Sequence, residues 1–266
     1  METNDHLARQ DRAIEKAEAD ALDRGPFIAS LIKALVHTER STEGEITRCA
    51  TGFVIGLTGE WGLGKSSVLN LLSAELKQLD SVVVATLNPW LFKGRDELVQ
   101  AYFSSLREAL GRSTSEKARE VQLQLERYKA SIEFTGTTVA AVIDAFGSGG
   151  AATTFWEKCA IKGLKALIKP KDLSANQERK ALEAKLAKAN VPVVVLIDEL
   201  DRVEDDEVRA VAQLVKAVGD IRGISYLVAY DPDRVAQALG RGSDLAERRR
   251  TGESYLEKII QFPISL

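Results

Sequence analysis

The chain reads as an α/β protein: a mostly parallel five-stranded sheet with helices on both faces. Two observations predict this. Five apolar runs, at 53–58, 81–87, 191–197, 224–230 and 258–266, have strand-like composition, and four of them are separated by helical segments. That alternation is the pattern of strands joined by crossover helices. In addition, the first run leads through a glycine-rich loop directly into a segment where Val68, Leu71, Leu72, Leu76 and Leu79 recur at helical spacing.

The loop itself, Gly59-Glu60-Trp61-Gly62-Leu63-Gly64-Lys65-Ser66, is the most informative stretch. A buried strand, a loop closing in Gly-Lys-Ser and a helix together form a phosphate-binding P-loop. Glycines let backbone N–H groups turn inward around a polyphosphate, and the helix N-terminus adds partial positive charge. The expected cradle is Gly59, Glu60, Trp61, Gly62, Leu63, Gly64, Lys65, Ser66 and Ser67. Within it Lys65 reaches the β- and γ-phosphates and the Ser66 hydroxyl ligates Mg²⁺. P-loop sheets of the additional-strand class run in the order 5-1-4-3-2, which is the order expected here.

Such a site also needs a carboxylate at the end of another strand. Val193-Val194-Val195-Leu196-Ile197-Asp198-Glu199 supplies it, five aliphatic residues followed by two acids. Asp198 is expected in the Mg²⁺ shell, and Glu199 is expected to take a proton from the attacking water. The same acids could instead cap the helix that runs through Val208 and Leu214. Asp231, ending the 224–230 run, is a candidate for orienting the water, and Asp231-Pro232-Asp233 is equally a helix N-cap with Pro in the first turn. Arg202 and Arg234 are either phosphate contacts or partners of Asp201, Glu204 or Asp233 in salt bridges. Trp61 and Trp90 are read first as core packing, and alternatively as a shield over the phosphates, with Asn88 and Trp90 as a buttress.

Bulk properties narrow the classes. The 266 residues are 45% hydrophobic and 28% charged, with a formal net charge of −3, values ordinary for a globular domain. That balance argues against nucleic acid as a partner, and Arg248-Arg249-Arg250 reads as a solvated helix face. Two isolated cysteines, Cys49 and Cys159, fit neither a metal site nor a disulfide framework and suit a reducing cytoplasm. No apolar leader opens the chain. Residues 134–168 are poor in charge, but Asp144, Gly147-Ser148-Gly149-Gly150, Glu157, Lys158 and Lys162 interrupt the run of about 20 apolar residues that a membrane span requires. A soluble or interfacial segment is the expectation, with contact to the inner face of a membrane as the alternative.

The expected organisation is a helical lead-in over 1–44, the first half of the core over 45–110, a mainly helical insertion over 111–190 and the second half of the core over 191–266. Within these, residues 5–23 read as a polar helix, 27–38 as an amphipathic helix and 38–44 as a loop. Helices are expected at 95–110, 116–129 and 172–189.

Several runs together resemble the KAP family of P-loop NTPases: the GxWGxGKS form of the loop, Leu87-Asn88-Pro89-Trp90-Leu91-Phe92, Asp198-Glu199-Leu200-Asp201-Arg202, Tyr255 to Gln261, and Asp20 to Phe27. The resemblance implies ATP binding and hydrolysis in a cytoplasmic catalytic domain. In some members it implies membrane helices inserted in that domain, in bacterial members a link to phage exclusion and in eukaryotic members a link to membrane-associated signalling scaffolds. Glu199 departs from the second aspartate common at that position, and the chain stops where similar proteins continue into a helical region. The expected function is therefore ATP hydrolysis with Mg²⁺ that drives or gates a larger assembly, through self-association or a protein partner. The rivals are a nucleotide-dependent switch with little turnover of its own and a nucleic-acid-stimulated ATPase.

Overall fold

The computed structural model describes residues 13–40, 46–113, 115–134 and 175–266. Its strands are β1 (Val36–Arg40), β2 (Ile46–Ala50), β3 (Val54–Thr58), β4 (Val83–Leu87), β5 (Val193–Ile197), β6 (Ile224–Tyr230) and β7 (Phe262–Ser265). The last five form one sheet in the order β4-β5-β6-β3-β7, and every neighbouring pair in it is parallel. Numbered along the chain, this is the predicted 5-1-4-3-2. The helices are α1 (Gly25–Leu35), α2 (Lys65–Gln78), α3 (Arg95–Arg112), α4 (Glu116–Phe134), α5 (Ala175–Ala189), α6 (Asp205–Val218), α7 (Pro232–Leu239) and α8 (Leu245–Leu256).

Strand side chains alternate between faces, and the two faces carry two cores. Val194 and Leu196 of β5 join Leu31 and Leu35 of α1 and Val68, Leu72 and Leu76 of α2. Val193, Val195 and Ile197 join Leu98, Tyr102 and Leu106 of α3 and Val208 and Val211 of α6. All of β5 and β6 is buried, as central strands covered on both faces must be. Val121, Leu125 and Tyr128 of α4 and Leu182 and Leu186 of α5 belong to the second of these cores. The described parts of the 111–190 interval thus pack as part of the same body.

The chain upstream of β3 departs from expectation. In the described part of 5–23 the only helical turn is a 3-10 turn at Ala17–Ala19. The amphipathic helix ends at Leu35 rather than 38, and Thr38, Glu39 and Arg40 are strand rather than loop. They form an antiparallel hairpin with β2, from Val36 opposite Ala50 to Arg40 opposite Ile46. Tertiary bonds explain the early stop. The Leu35 carbonyl, left without a helical partner at the C-terminus, accepts from the Thr51 N–H at 3.0 Å and from the buried Ser225 hydroxyl at 2.8 Å. The expected strands at 81–87, 191–197 and 258–266 are each shorter at their first end, and no described helix is long and apolar enough to cross a membrane. The 134–168 stretch lies, apart from Phe134, outside the described residues.

One buried polar contact ties α3 to the central strands. The Tyr226 hydroxyl donates to the Val218 carbonyl at 3.0 Å and so accepts from the Tyr102 hydroxyl at 2.7 Å. Burial pushes both phenols above their ordinary range. Tyr226→Phe keeps the volume but strands the Tyr102 hydroxyl, while the Val218 carbonyl keeps the Ile221 N–H at 3.0 Å. We expect a loss of about 1–3 kcal/mol, the cost of a buried unsatisfied group, measured by denaturant unfolding.

Candidate functional site

Parallel strands bring all their carboxyl ends to one edge, and in open α/β sheets ligands bind there. The P-loop leaves β3 at this edge and turns into α2. Gly62 and Gly64 have φ of 87° and 88°, a conformation that side chains disfavour. A Cβ on Gly64 would also sit 3.0 Å from the Arg24 guanidinium, which is itself held by Asp20 at 2.7 Å. Glycine at 64 therefore serves both the turn and the close approach of a cation. Ser67, the last expected member of the cradle, is buried, and its hydroxyl accepts from the Ile14 N–H at 3.0 Å.

β5 lies two strands from β3, with β6 between them. At the end of β5 the chain does not enter a helix. The next helix, α6, begins at Asp205 behind a capping box formed by Glu204 and Glu207, so Asp198 to Asp201 precede it, which sets aside the alternative reading of these acids as its cap. Glu199 adopts a left-handed φ of 57°, a conformation costing a non-glycine residue about 1–2 kcal/mol. It sends neighbouring acids in different directions. Asp198 meets the Ser66 hydroxyl, and its carboxylate also accepts from the Glu199 N–H at 2.8 Å. Glu199 turns toward β4, where Asn88 donates to one carboxylate oxygen and Arg202 lies 2.6 Å from the other. The Asn88 orientation is set by its own oxygen, which accepts from the Trp90 N–H.

Lys65 donates to the carbonyls of Gly59 at 2.9 Å and Glu60 at 3.1 Å, and pairs with Asp201 at 3.1 Å. These contacts use all three of its protons. The two paired side chains are 8% and 6% exposed, so this is a buried ion pair. Asp201 was not among the expected site residues, although its place three residues after Asp198 in an acidic run gave a signal. The Arg202 guanidinium lies 4.6 Å from the centroid of the Trp61 ring. Trp61 and Trp90 are 67% and 57% exposed, which corrects the expectation that either packs in the core.

Asp231 stands at the end of β6 beside β3 and caps α7, its oxygen accepting from the N–H groups of Asp233 and Arg234. Arg234 is committed elsewhere, bonding Asp205 at 2.7 Å and the Val203 carbonyl at 2.8 Å. Its partner is Asp205, not Asp201, Glu204 or Asp233, and Arg202 pairs with Glu199. The structure thus brings Ser66 to Asp198, and Lys65 to Asp201, between the P-loop and the acidic turn. Among the described residues no cluster of three or more His, Cys, Asp or Glu side chains suits a metal ion.

Burial pushes the Asp198 carboxyl above the usual carboxylate range. Glu199 and Asp201 push the same way, while the bonds from Ser66 and the Glu199 N–H oppose the shift. A group that holds its proton more tightly folded than unfolded favours the fold at low pH and loses that contribution as pH rises through the folded value. Asp198→Asn should therefore melt higher than the parent at neutral pH without nucleotide, with the gap closing toward pH 4. Lys65→Ala alone strands a buried Asp201 and should cost about 3–5 kcal/mol. Lys65→Ala with Asp201→Asn should recover much of that loss in a thermal melt.

A glycine loop with its lysine and hydroxyl at the head of α2, faced by an acidic turn on a parallel sheet of this order, defines a nucleotide-binding P-loop domain. Residues 24–266 match the KAP family P-loop domain, and the chain belongs to that family. It is similar to the phage T7 exclusion protein of Escherichia coli strain K12, at 26% identity over 231 residues. That match takes in 80% of this chain and 30% of the relative, so the chain spans about a third of the relative's length. Among solved structures, the ORC2 protein of Aeropyrum pernix aligns over 80% of this chain and 41% of its own, at 14% identity and a TM-score of 0.33. The cbiO1 protein of Clostridium perfringens, part of the ABC transporter complex cbiONQ, aligns over 77% and 82%, at 15% identity and a TM-score of 0.31. Family membership rests on the domain match.

Proposed function

We propose that the chain binds ATP with Mg²⁺ and hydrolyses it to ADP and phosphate. The observation that carries this reading is the 3.1 Å pair between Lys65 of the P-loop and Asp201 of the acidic turn, which sets Ser66 at the head of α2 near Asp198 at the end of β5, with Glu199 next in the chain. A hydroxyl and a carboxylate are hard oxygen donors, and Mg²⁺ in phosphate sites takes one or two such protein ligands and keeps several waters. Ser66 and Asp198 would hold the ion, which when bound neutralises charge on the phosphate oxygens. The P-loop amides and Lys65 bind and orient the phosphates. Glu199 accepts the proton of the water whose oxygen bonds to the γ-phosphorus as the bridging bond to ADP breaks. Asp231, at the same sheet edge, orients that water while still capping α7. The choice of ATP over GTP rests on family resemblance.

A second reading, a nucleotide-dependent switch with slow turnover of its own, is favoured by a specific observation: Lys65 and Glu199 are both engaged in internal pairs. Under either reading nucleotide must compete with Asp201 for the lysine. Resemblance to the phage T7 exclusion protein supports a role in defence against phage, driven through self-association or a protein partner. Phosphate release separates the two readings. Glu199→Gln should lower kcat by about 10²–10⁴-fold, the worth of a positioned base, and leave ATP binding intact. The Lys65→Ala, Asp201→Asn pair should lose ATP affinity. Full turnover in either variant would overturn the hydrolysis mechanism, whereas tight binding with negligible parental turnover would favour the switch.

A further inference from the structure

We infer that Arg202 is a positioning residue that restrains Glu199 in the nucleotide-free protein, and that Trp61 is the P-loop's hold on Arg202. This rests on the reading of Glu199 as the base. Three contacts make the connection. The Arg202 guanidinium is 2.6 Å from one Glu199 carboxylate oxygen, its carbon lies 4.6 Å from the Trp61 ring centroid, and the Arg202 backbone N–H donates to the Glu199 carbonyl at 3.2 Å. With Asn88 on the other oxygen, both oxygens that could receive water's proton are engaged.

The two restraints differ in what they answer to. Asn88 follows β4 and is anchored by the Trp90 N–H, so it reports on the sheet. Arg202 stacks on a residue inside the loop that must order around phosphates, so its hold on Glu199 depends on that loop. Packing does not explain the stack, because Trp61 is 67% exposed and the Arg202 side chain 40%. An exposed guanidinium over indole is a weak contact, of the kind that exchanges when one partner moves. A guanidinium also has donors enough to bond a carboxylate while lying flat on a ring, a combination that lysine lacks. The role of a phosphate-contacting arginine is the competing assignment. It predicts the opposite effect on rate.

The test uses the protein with Trp90→Phe and Trp156→Phe, which leaves Trp61 as the only tryptophan of the three. In that background ATP affinity is measured by equilibrium dialysis with labelled ATP and Mg²⁺, turnover by phosphate release, and the loop by Trp61 emission. ATP should shift the Trp61 emission, and Arg202→Ala should remove most of that shift. Arg202→Ala should also raise kcat several-fold with little change in ATP affinity, a gain that Glu199→Gln abolishes, while Arg202→Lys should give an intermediate kcat. Trp61→Leu should lower kcat by a larger factor in the parent than in the Arg202→Ala protein, since a shared relay makes the two effects non-additive. A fall in kcat on Arg202→Ala would reassign it as a phosphate contact. Unchanged kcat and emission, with Glu199→Gln inactive, would overturn the relay alone. Full turnover in Glu199→Gln, or no ATP binding by the parent, would overturn the base reading and the relay with it.

Discussion

The buried pair between Lys65 and Asp201 joins the two halves of the site. A lysine amine out of water needs its protons satisfied, and here two loop carbonyls and one carboxylate satisfy them. The pair pins the P-loop against the acidic turn across the width of β6. Everything else at the edge is arranged around that seam: Ser66 reaches Asp198, Arg202 reaches Trp61, and Glu199 is turned outward to Asn88. The P-loop cation is held by a carboxylate of the acidic turn, a group of the same charge as phosphate. The pocket is thus preorganised without being left with an unpaired charge.

Most of the sheet was legible because its strands are short, β-branched and buried on both faces, which gives runs such as Val193 to Ile197 no polar alternative. The β1–β2 hairpin was not. Thr38, Glu39 and Arg40 have no apolar period, and the signal that ends α1 at Leu35 comes from Thr51 and Ser225, which are distant in sequence. At the site, residue types at known spacing named Lys65, Ser66, Asp198 and Glu199 as candidates. The pairing among them was not legible, because it depends on one left-handed residue, Glu199, that no propensity favours. Without that turn the acids read as a helix start. Trp61 and Trp90 misled for the usual reason, since large aromatics are more often inside than out.

The same edge concentrates local costs: a left-handed glutamate, a partly buried carboxyl shifted above its ordinary range, and two exposed indoles. Cores elsewhere are ordinary, with alternating aliphatic layers and satisfied hydroxyls. Local rules broken at one edge of an otherwise consistent scaffold are what functional sites commonly show.

The domain match begins at residue 24, yet Ile14 is bound into the P-loop helix from outside that limit. Its N–H donates to Ser67, its carbonyl accepts from Asn70, and its side chain packs on the core under α2. Ten residues of apparent leader thus act as a strap on the phosphate-binding helix. A fragment trimmed to the homology boundary would uncover an apolar spot on the phosphate-binding helix and leave Ser67 and Asn70 to water.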